Sequence, residues 1–316
     1  MDNKKSISII ICCYNSSARI EKTLDYIHLV NIPNEYSLEV ILVDNASTDS
    51  TALVAENKWK TFNSHIDLTI VHQPIPGLSF ARSIGIEKAT GEWVMFCDDD
   101  NYLSSNYIVN ALNLANSYSN VGIIGGQGIA EFEGNEPKNW KDIECWYACG
   151  NLQPNSGEID AVNGACMMIK RQIFSEPHFQ IPFFLTDRLG NDLISGGDLE
   201  ICKRAKLAGY TVIYSQESTY GHFMPTARLT NEYLMKLLLG IGKGFMLLRS
   251  YDKKIISPLK EGLRFIYGIL RLFFLKSVNT WGLKKAEILL IRYNSLIFYF
   301  KCYKQIVANK NLLKKL

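Results

Sequence analysis

The first 120 residues alternate between short apolar runs and segments with helical periodicity, and this alternation restricts the possible folds strongly. Four apolar runs predict buried strands: ISIIICC at 7–13, LEVILVD at 38–44, LTIVHQ at 68–73 and GEWVMFC at 91–97. Segments with apolar residues three and four positions apart, such as Ile20, Leu24 and Ile27, follow the strands and predict helices. Strands that alternate with helices form right-handed βαβ units. The predicted fold class is therefore α/β, with a mostly parallel sheet flanked by helices.

Beyond residue 120 the alternation becomes less regular. VGIIGGQG and IAEFEG predict short strands, and a helix is predicted from Gly197–Asp198 to Gly209. After residue 230 the pattern is helical, basic and rich in aromatic residues. We therefore expect an α/β domain at 1–230, with halves at about 1–120 and 121–230, followed by a helical basic region at 231–316.

The formal net charge of +3 conceals a strong asymmetry along the chain. From Lys236 onward there are 17 Lys and Arg against 3 Asp and Glu, which leaves 17 and 28 for the first 235 residues. An acidic body with a basic tail is not typical of a nucleic-acid-binding protein, so no nucleic-acid partner is predicted. The basic tail instead suits an anionic membrane surface.

The cysteines and the apolar runs indicate the compartment. Eight cysteines are scattered without a CxxC pair, which favours buried, reduced thiols and a cytoplasmic location. No uncharged apolar stretch approaches the roughly 20 residues of a spanning helix, so no transmembrane segment is expected. The N-terminal apolar run is short and lacks a small-residue cleavage site, which favours a strand over a signal peptide.

Three consecutive aspartates, Asp98, Asp99 and Asp100, follow the fourth predicted strand directly. Asp44 ends a neighbouring predicted strand, and ligands of such sheets bind beyond the carboxyl ends of the strands. Asp98 and Asp100 would suit a divalent cation with a substrate phosphate, because hard cations prefer carboxylate oxygens. The alternative is a solvated acidic loop.

Four further residues are candidates for the same chemistry. Arg82 is predicted in the first turn of a helix, where the helix dipole disfavours a cation unless a phosphate lies nearby. Asp198 is predicted at a helix N-terminus, which suits either a cap or a general base that stays ionised. His222 and Arg228 lie in YGHFMPTARLT, where the histidine is either an ordinary satisfied residue or a further ligand of a metal held by aspartate.

Taken together and in this order, five segments resemble motifs of the family-2 glycosyltransferases, inverting enzymes with the Rossmann-like GT-A fold. The similarity covers roughly residues 6–230. The five segments are IIICCYNSSARIEKTLDYI, VDNASTDST, GLSFARSIGIEKATGEWVMFCDDDN, VNGACMMIKRQIF and GGDLEICKRAKLAGY. The chain departs from the usual pattern at Cys12-Cys13 (Pro-Thr in the family), at Asn45-Ala46, at Ser83 and at Gly197, which stands where the family has Glu.

The resemblance assigns roles to these residues. Asp44 would contact the nucleotide base, and Asp98 the ribose or the phosphates. Asp100, with His222 as a further ligand, would bind Mn²⁺ or Mg²⁺. Asp198 would deprotonate the acceptor hydroxyl as it attacks the anomeric carbon in line and inverts it. Other residues assigned to the nucleotide sugar are Tyr14, Asn15, Arg82, Asp99 and Arg228.

The acceptor side is predicted from three residues. Gly164 and Glu200 lie in segments that resemble the acceptor-side and Glu-Asp-x-Glu elements of the family. Trp140 is an aromatic candidate because aromatic rings stack on sugars, although core packing explains it equally well. The predicted partners are a nucleotide-diphosphate sugar, with a UDP-sugar favoured, and a glycan or lipid-linked saccharide acceptor.

The chain has no Gln-x-x-Arg-Trp element of the processive synthases, so transfer of a single sugar in polysaccharide or glycan biosynthesis is expected. A nucleotidyltransferase with a similar sheet and a non-catalytic nucleotide-sugar-binding scaffold are the alternatives.

The basic tail has two interpretations. Cations interleaved with apolar residues would form an interfacial surface, giving peripheral attachment at the inner face of the cell membrane. Alternatively, the helices pack their apolar faces on the core in the ordinary way. The cations in question are Arg264, Arg271, Lys276, Lys284, Lys285 and Arg292.

Overall fold

The computed structural model describes residues 5–185, 187, 193–274 and 285–316, with the side chains at 269–274 and 285–287 left out of the description. Lys276 and Lys284, two cations of the predicted interfacial surface, lie outside the described residues. The side chains of Arg271 and Lys285 are likewise not described.

A mixed sheet forms the centre of the fold. Its strands are β1 Lys5–Cys13, β2 Tyr36–Asn45, β3 Asp67–Gln73, β4 Trp93–Asp98, β5 Asn101–Leu103, β6 Val121–Phe132, β7 Gly157–Glu158, β8 Met168–Lys170 and β9 Thr211–Met224. The order is β3-β2-β1-β4-β8-β6-β9-β5, with β7 paired to β9. β1 to β4 are parallel, and β8 is antiparallel to both β4 and β6. The first half of the sheet is therefore the parallel one, as the βαβ pattern predicts.

Helices cover both faces of the sheet and extend beyond it at the C-terminus. They are α1 Ile20–His28, α2 Thr51–Thr61, α3 Leu78–Lys88, α4 Tyr107–Ala115, α5 Trp140–Ile143, α6 Gly197–Leu207, α7 Asn231–Leu248, α8 Pro258–Phe274 and α9 Lys285–Leu313. Among the described residues, none of these helices combines the length and apolarity needed to cross a bilayer.

The sheet is buried on both faces because alternate residues of each strand point to opposite sides. In β1, Ile9 and Ile11 pack in the core that contains α1, α2 and α4. Ile10 between them packs on the other side, against residues of α3 and α6. This burial on both faces explains why the strands appear in the sequence as continuous apolar runs.

The predicted elements agree with the structure in type and differ in extent. The four predicted strands correspond to β1 to β4, and the predicted helix at 197–209 corresponds to α6. The two short strands expected in the 121–134 region are one strand, β6, which pairs along its length with β9. The α/β fold class with a mostly parallel sheet is confirmed.

α7 is packed closely against the segment that leads into α6. Gly240 and Gly244, one turn apart, face this segment, and a Cβ at either position would overlap the carbonyl oxygen of Leu193 or Ser195. The helix also contributes Leu234, Leu237 and Leu238 to a core with Trp140 and Met224. The start of the C-terminal region thus packs directly on the α/β body.

This packing predicts opposite effects of two glycine-to-alanine substitutions. Gly244→Ala should lower the free energy of unfolding by about 1–3 kcal/mol, because backbone has to move away from the new methyl group. Gly262→Ala in α8 is the matched control, since its Cβ would meet nothing within 4 Å. The free energy of unfolding of the control should rise by about 0.5–1 kcal/mol, because alanine has a higher helix propensity than glycine. Urea denaturation measures both, and equal effects would contradict the close contact at Gly244.

Candidate active site

One cavity of about 680 Å³ lies at the carboxyl ends of β1 and β4. Its size is in the range of sites that hold a small ligand or cofactor. Among the predicted site residues, it is lined by Tyr14, Arg82, Asp98, Asp99, Asp100, Gly164, Asp198, His222 and Arg228. The sheet therefore brings together residues from the two halves of the predicted domain.

Asp99 is buried and committed to neighbouring protein groups. Its Oδ2 accepts hydrogen bonds from the Ser16 hydroxyl and from Arg19 Nη2, the latter at 2.6 Å. Its carbonyl oxygen accepts a hydrogen bond from Thr23 Oγ1. Burial raises the pKa of the Asp99 carboxyl, with Asp100 acting in the same direction, although Arg19 and Ser16 oppose this. Asp99 thus fixes the start of α1 to the acid run.

Asp100 is equally buried, and the side chains of Arg228 and His222 face it. Arg228 Nη1 donates to Oδ2 at 2.8 Å, and His222 Nε2 lies 3.6 Å from Oδ1. The antiparallel register of β5 and β9 pairs Asn101 with His222, which explains this proximity. Burial disfavours the ionised form, but His222 and Arg228 hold the pKa of the Asp100 carboxyl below its usual value.

Asp98 differs from its two neighbours. It is half-buried at the end of β4, lines the cavity, and its carboxylate has no hydrogen-bond or ion-pair partner within the described part of the chain. With Asp99 and Asp100 buried, the run is not a solvated acidic loop. Its negative charge is compensated from within the protein, and one carboxylate remains available to a ligand.

Asp198 is the second residue of α6, as predicted, and faces the same cavity. Its Oδ2 accepts a hydrogen bond from the backbone N–H of Gly164 at 2.8 Å, and its Oδ1 from that of Leu199 at 2.8 Å. A Cβ at position 164 would lie 2.9 Å from Asp198 Cβ and 3.1 Å from Arg82 Nη2. Gly164 therefore lies between the two charged side chains.

Arg82 is held above the sheet with its guanidinium facing the cavity. The guanidinium lies 4.8 Å above the ring of Phe96, and Nη1 is 3.9 Å from Asp187 Oδ2. Because α3 begins at Leu78, Arg82 is at the start of its second turn and not in the first. The helix dipole is therefore a weaker argument for a phosphate beside Arg82. The argument for such a phosphate now rests on the position of the guanidinium, which faces the cavity.

Two residues predicted to bind the nucleotide sugar do not line the cavity. The Asn15 side chain accepts from the Thr48 N–H at 2.8 Å, so it holds the loop between β2 and α2. Asp44 accepts from the Ser47 N–H, and its other carboxylate oxygen lies 3.2 Å from His72 Nδ1. Asn45, beside it, does line the cavity. The expected free carboxylate at position 44 is thus engaged with its own loop.

Two predicted acceptor-side residues also lie outside the cavity lining. Trp140 is buried in the core beneath Phe132 and Tyr147, so core packing explains it. Glu200 is fully buried and pairs with Arg204, whose Nη2 lies 2.7 Å from Glu200 Oε1. A side chain with no exposed surface has no access to an acceptor, so Glu200 is structural in this fold.

The Glu200–Arg204 pair holds the chain that leads toward the cavity. Glu200 accepts hydrogen bonds from the N–H groups of Phe184 and Leu185, and from Tyr251 Oη at 2.7 Å. Arg204 donates to three carbonyl oxygens of the same segment, those of His178, Ile181 and Pro182. The Glu200 and Arg204 side chains are both fully buried. The resemblance to the Glu-Asp-x-Glu element could not indicate this burial.

Several residues that line the cavity were not predicted from the sequence. Arg19 lines it and pairs with Asp99, and Asn163 lines it with a buried side-chain Nδ2 that has no hydrogen-bond partner among the described residues. α7 adds an apolar wall along one face of the helix, formed by Tyr233, Leu237, Ile241 and Phe245. The i, i+4, i+8, i+12 spacing of this wall is visible in the sequence, but it does not reveal which surface it faces.

Asp100 and His222 supply two donor atoms of the kinds that divalent cations take. In the described residues no group of three or more His, Cys, Asp or Glu side chains is arranged around one point. However, Asp100 Oδ1 and His222 Nε2 are 3.6 Å apart, and two donors at this separation both reach a cation at about 2.0–2.2 Å. The other coordination positions of such a cation would be left to phosphate and water, which commonly complete the coordination of Mg²⁺.

The chain matches the model of the family described as Glycosyl transferase family 2 over residues 8–176, a little over half of its length. It belongs to glycosyltransferase family 2. The matched region contains all but the first three residues of β1, together with β2 to β4, the acid run and Gly164. Asp198, His222 and Arg228 follow it.

Curated relatives of this family-2 chain are also glycosyltransferases. Glycosyltransferase AglE of Haloferax volcanii is 27% identical over 241 residues, which is 75% of this chain and 72% of AglE. The poly(ribitol-phosphate) β-N-acetylglucosaminyltransferase TarS of Staphylococcus aureus is 29% identical over 104 residues, or 33% of this chain. That second match spans only 18% of TarS.

Solved structures of similar shape share the GT-A fold. TarS residues 1–349 in complex with UDP-GlcNAc match with a TM-score of 0.52 at 15% identity, covering 95% of this chain and 92% of that one. The mannosyltransferase PcManGT of Pyrobaculum calidifontis, in complex with GDP-Man and Mn²⁺, matches with a TM-score of 0.59 at 18% identity, covering 94% and 86%. The GT-A expectation is thereby confirmed.

The structural role of Glu200 predicts a large loss of stability when the pair is broken. Glu200→Ala should lower the free energy of unfolding by about 3–5 kcal/mol, because it leaves Arg204 buried without its counter-charge. Glu56→Ala is the matched control, since Glu56 forms an exposed pair with Lys60 at the same i,i+4 spacing. Loss of the Glu56–Lys60 pair should lower the free energy of unfolding by about 0.5 kcal/mol or less. A small loss for Glu200→Ala in urea denaturation would restore the acceptor-side interpretation.

Proposed function

We propose that this glycosyltransferase moves one sugar, with inversion, from a nucleotide-diphosphate sugar to a hydroxyl acceptor during glycan or polysaccharide biosynthesis. The observation that carries the proposal is the position of Asp198 and Arg82 on either side of Gly164, in the same cavity as Asp98, Asp100 and Arg228. A carboxylate and a set of cations thus face one space large enough for the donor.

A UDP-sugar is the donor that we favour. The TarS structures with UDP and UDP-GlcNAc support a uridine nucleotide, and the PcManGT structure with GDP-Man makes a guanosine nucleotide the second candidate. In the cavity, the unpartnered carboxylate of Asp98 would accept hydrogen bonds from ribose hydroxyls. Arg82 and Arg228 would neutralise the charge that grows on the leaving diphosphate, since fixed cations stabilise it in a water-poor site.

A divalent cation, Mn²⁺ or Mg²⁺, would be held by Asp100 and His222. When bound, it would supply positive charge to the diphosphate oxygens. Binding would require Arg228 to share Asp100, since its Nη1 is 2.8 Å from Oδ2. The PcManGT structure with Mn²⁺ supports a metal in a protein of this fold.

Asp198 would act as the general base. Its two hydrogen bonds, from the backbone N–H groups of Gly164 and Leu199, fix the orientation of the carboxylate. In the step itself, the acceptor hydroxyl loses its proton to Asp198 while its oxygen bonds to the anomeric carbon. The bond from that carbon to the diphosphate oxygen breaks on the opposite side, so the configuration inverts.

The acceptor side of the cavity has a polar donor and an apolar wall. The free amide Nδ2 of Asn163 would donate to an acceptor or donor sugar hydroxyl. The wall of α7, from Tyr233 to the half-exposed Phe245, has no polar group to offer a sugar beyond the tyrosine hydroxyl. Apolar surface beside the site favours a lipid-linked saccharide over a free glycan as the acceptor.

Replacing the proposed base provides the first test. Asp198→Asn should reduce release of UDP from UDP-sugars by about 10²–10⁴-fold, because the amide takes up no proton, with nucleotide affinity nearly unchanged. Asp142→Asn is the control, since Asp142 also lies in the first turn of a helix but is exposed. Turnover by Asp198→Asn at the wild-type rate would refute the base. Release of pyrophosphate from a nucleoside triphosphate and a sugar phosphate would instead support a nucleotidyltransferase.

Nucleotide binding provides the second test. UDP with Mn²⁺ should raise the melting temperature by several degrees, since a ligand at 100 times its Kd adds about 2.7 kcal/mol of stability. Asp100→Asn should remove this rise, measured against its own melting temperature without ligand, and the exposed Asp160→Asn should retain it. GDP, CDP and dTDP are compared in the same assay. An equal rise without metal, or in Asp100→Asn, would contradict the metal site.

A further inference from the structure

α8 presents an apolar stripe to the outside of the molecule. Leu259, Leu263, Ile266 and Tyr267 recur at i, i+4, i+7 and i+8, which places them on one face of the helix. They are 76%, 58%, 53% and 69% exposed, respectively. Most exposed apolar residues occur singly on protein surfaces, so a stripe of four along one helix calls for an explanation.

The opposite face of α8 already packs on the protein. Glu261 is mostly buried and lies 3.1 Å from Arg249 Nη2, and the ring of Phe265 packs on that of Tyr293 in α9. Gly268, on the same side, is buried. One face of α8 therefore packs on the protein, and the apolar stripe lies on the opposite face, directed away from the body.

Cations border the stripe. Lys260 and Arg264 each follow a leucine of the stripe by one residue and are exposed, and Lys253 and Lys254 are exposed just before the helix. The nearby acids are already paired, since both Asp252 and Glu261 lie within 4 Å of Arg249, and Glu261 Oε2 also lies 3.6 Å from Arg264 Nη1. Around α8 the positive charge is thus in excess, next to apolar surface.

We infer that this face of α8, defined by Leu259, Leu263, Ile266 and Tyr267 with Lys260 and Arg264 at its border, docks on the surface of an anionic lipid bilayer. A helix with an outward apolar face and flanking cations lies in the plane of the headgroups, with its apolar side chains below them. The cations add attraction to anionic lipids. The inference goes beyond the proposed sugar transfer and does not depend on it.

Charge favours a bilayer over a second copy of this chain as the occupant. A symmetric dimer through this face would place the same patch of each copy against the other, so Lys260 and Arg264 of both copies would border one interface. Like charges brought together in this way oppose association. An anionic headgroup layer pairs with the same cations, so one partner satisfies both the apolar and the charged part of the surface.

The test is co-sedimentation of the full chain with phosphatidylcholine vesicles, with and without phosphatidylglycerol, at low and high salt. The wild type should bind the anionic vesicles, and less so at high salt. Leu263→Glu should weaken this binding by at least about ten-fold, because a carboxylate would enter the acyl region and repel the anionic lipid. Leu53→Glu in α2 is the matched control, since Leu53 is also 58% exposed and should leave binding unchanged. Lys260→Glu should weaken binding by about five-fold or more.

Each outcome bears on the inference directly. Binding lost in Leu263→Glu and Lys260→Glu but retained in Leu53→Glu supports it. No binding by the wild type, or equal binding by Leu263→Glu and Leu53→Glu, would overturn it. A wild-type dimer in light scattering that becomes a monomer in Leu263→Glu would assign the face to a second copy instead. UDP release in solution should be the same in all three variants, so failure of this inference is distinguishable from failure of the proposed transfer.

Discussion

Two successive buried carboxylates are stable only if cations reach them, and this requirement organises the site. Asp99 pairs with Arg19, which precedes α1. Asp100 pairs with Arg228, in the turn after β9, and lies beside His222 of β9. Burying a charge without a partner costs several kcal/mol, so these contacts tie the first βαβ unit to β9 and to the turn between β9 and α7. The same compensation leaves Asp98 as the free carboxylate of the run.

The C-terminal region is connected to the site through a series of helix contacts. α7 forms the apolar wall of the cavity, and its close approach at Gly240 and Gly244 positions the segment that leads to Asp198. α9 packs on α7, and α8 packs on α9. A docked α8 would therefore place the bilayer two helices away from the apolar wall, which is consistent with a lipid-linked acceptor.

Much of the fold could be predicted from the sequence, because the elements concerned are locally encoded. The strands β1 to β4 are buried on both faces and so appear as apolar runs, and α6 has an acidic first turn and a terminal glycine. The division of the chain at residue 230, its cytoplasmic location and the roles of the site residues stay predictions. The resemblance motifs were also sufficient to indicate the family, since four of the five lie on these elements or directly beside them.

Composition and pattern alone thus determined the α/β class, the carboxyl-end location of the acid run and the position of Asp198 at a helix start. Only the tertiary structure decided which of several similar residues are paired or buried and which face the cavity. Asp99 is engaged with Arg19 while Asp98 is free, and Glu200 is buried while Asp198 faces the cavity. Asn15 and Asp44 hold a loop, and Asn163 turns its amide inward. The partners of Asp99 and Asn15 are Arg19 and Thr48, which are distant from them in the sequence. Sequence spacing carries no information about which distant group arrives.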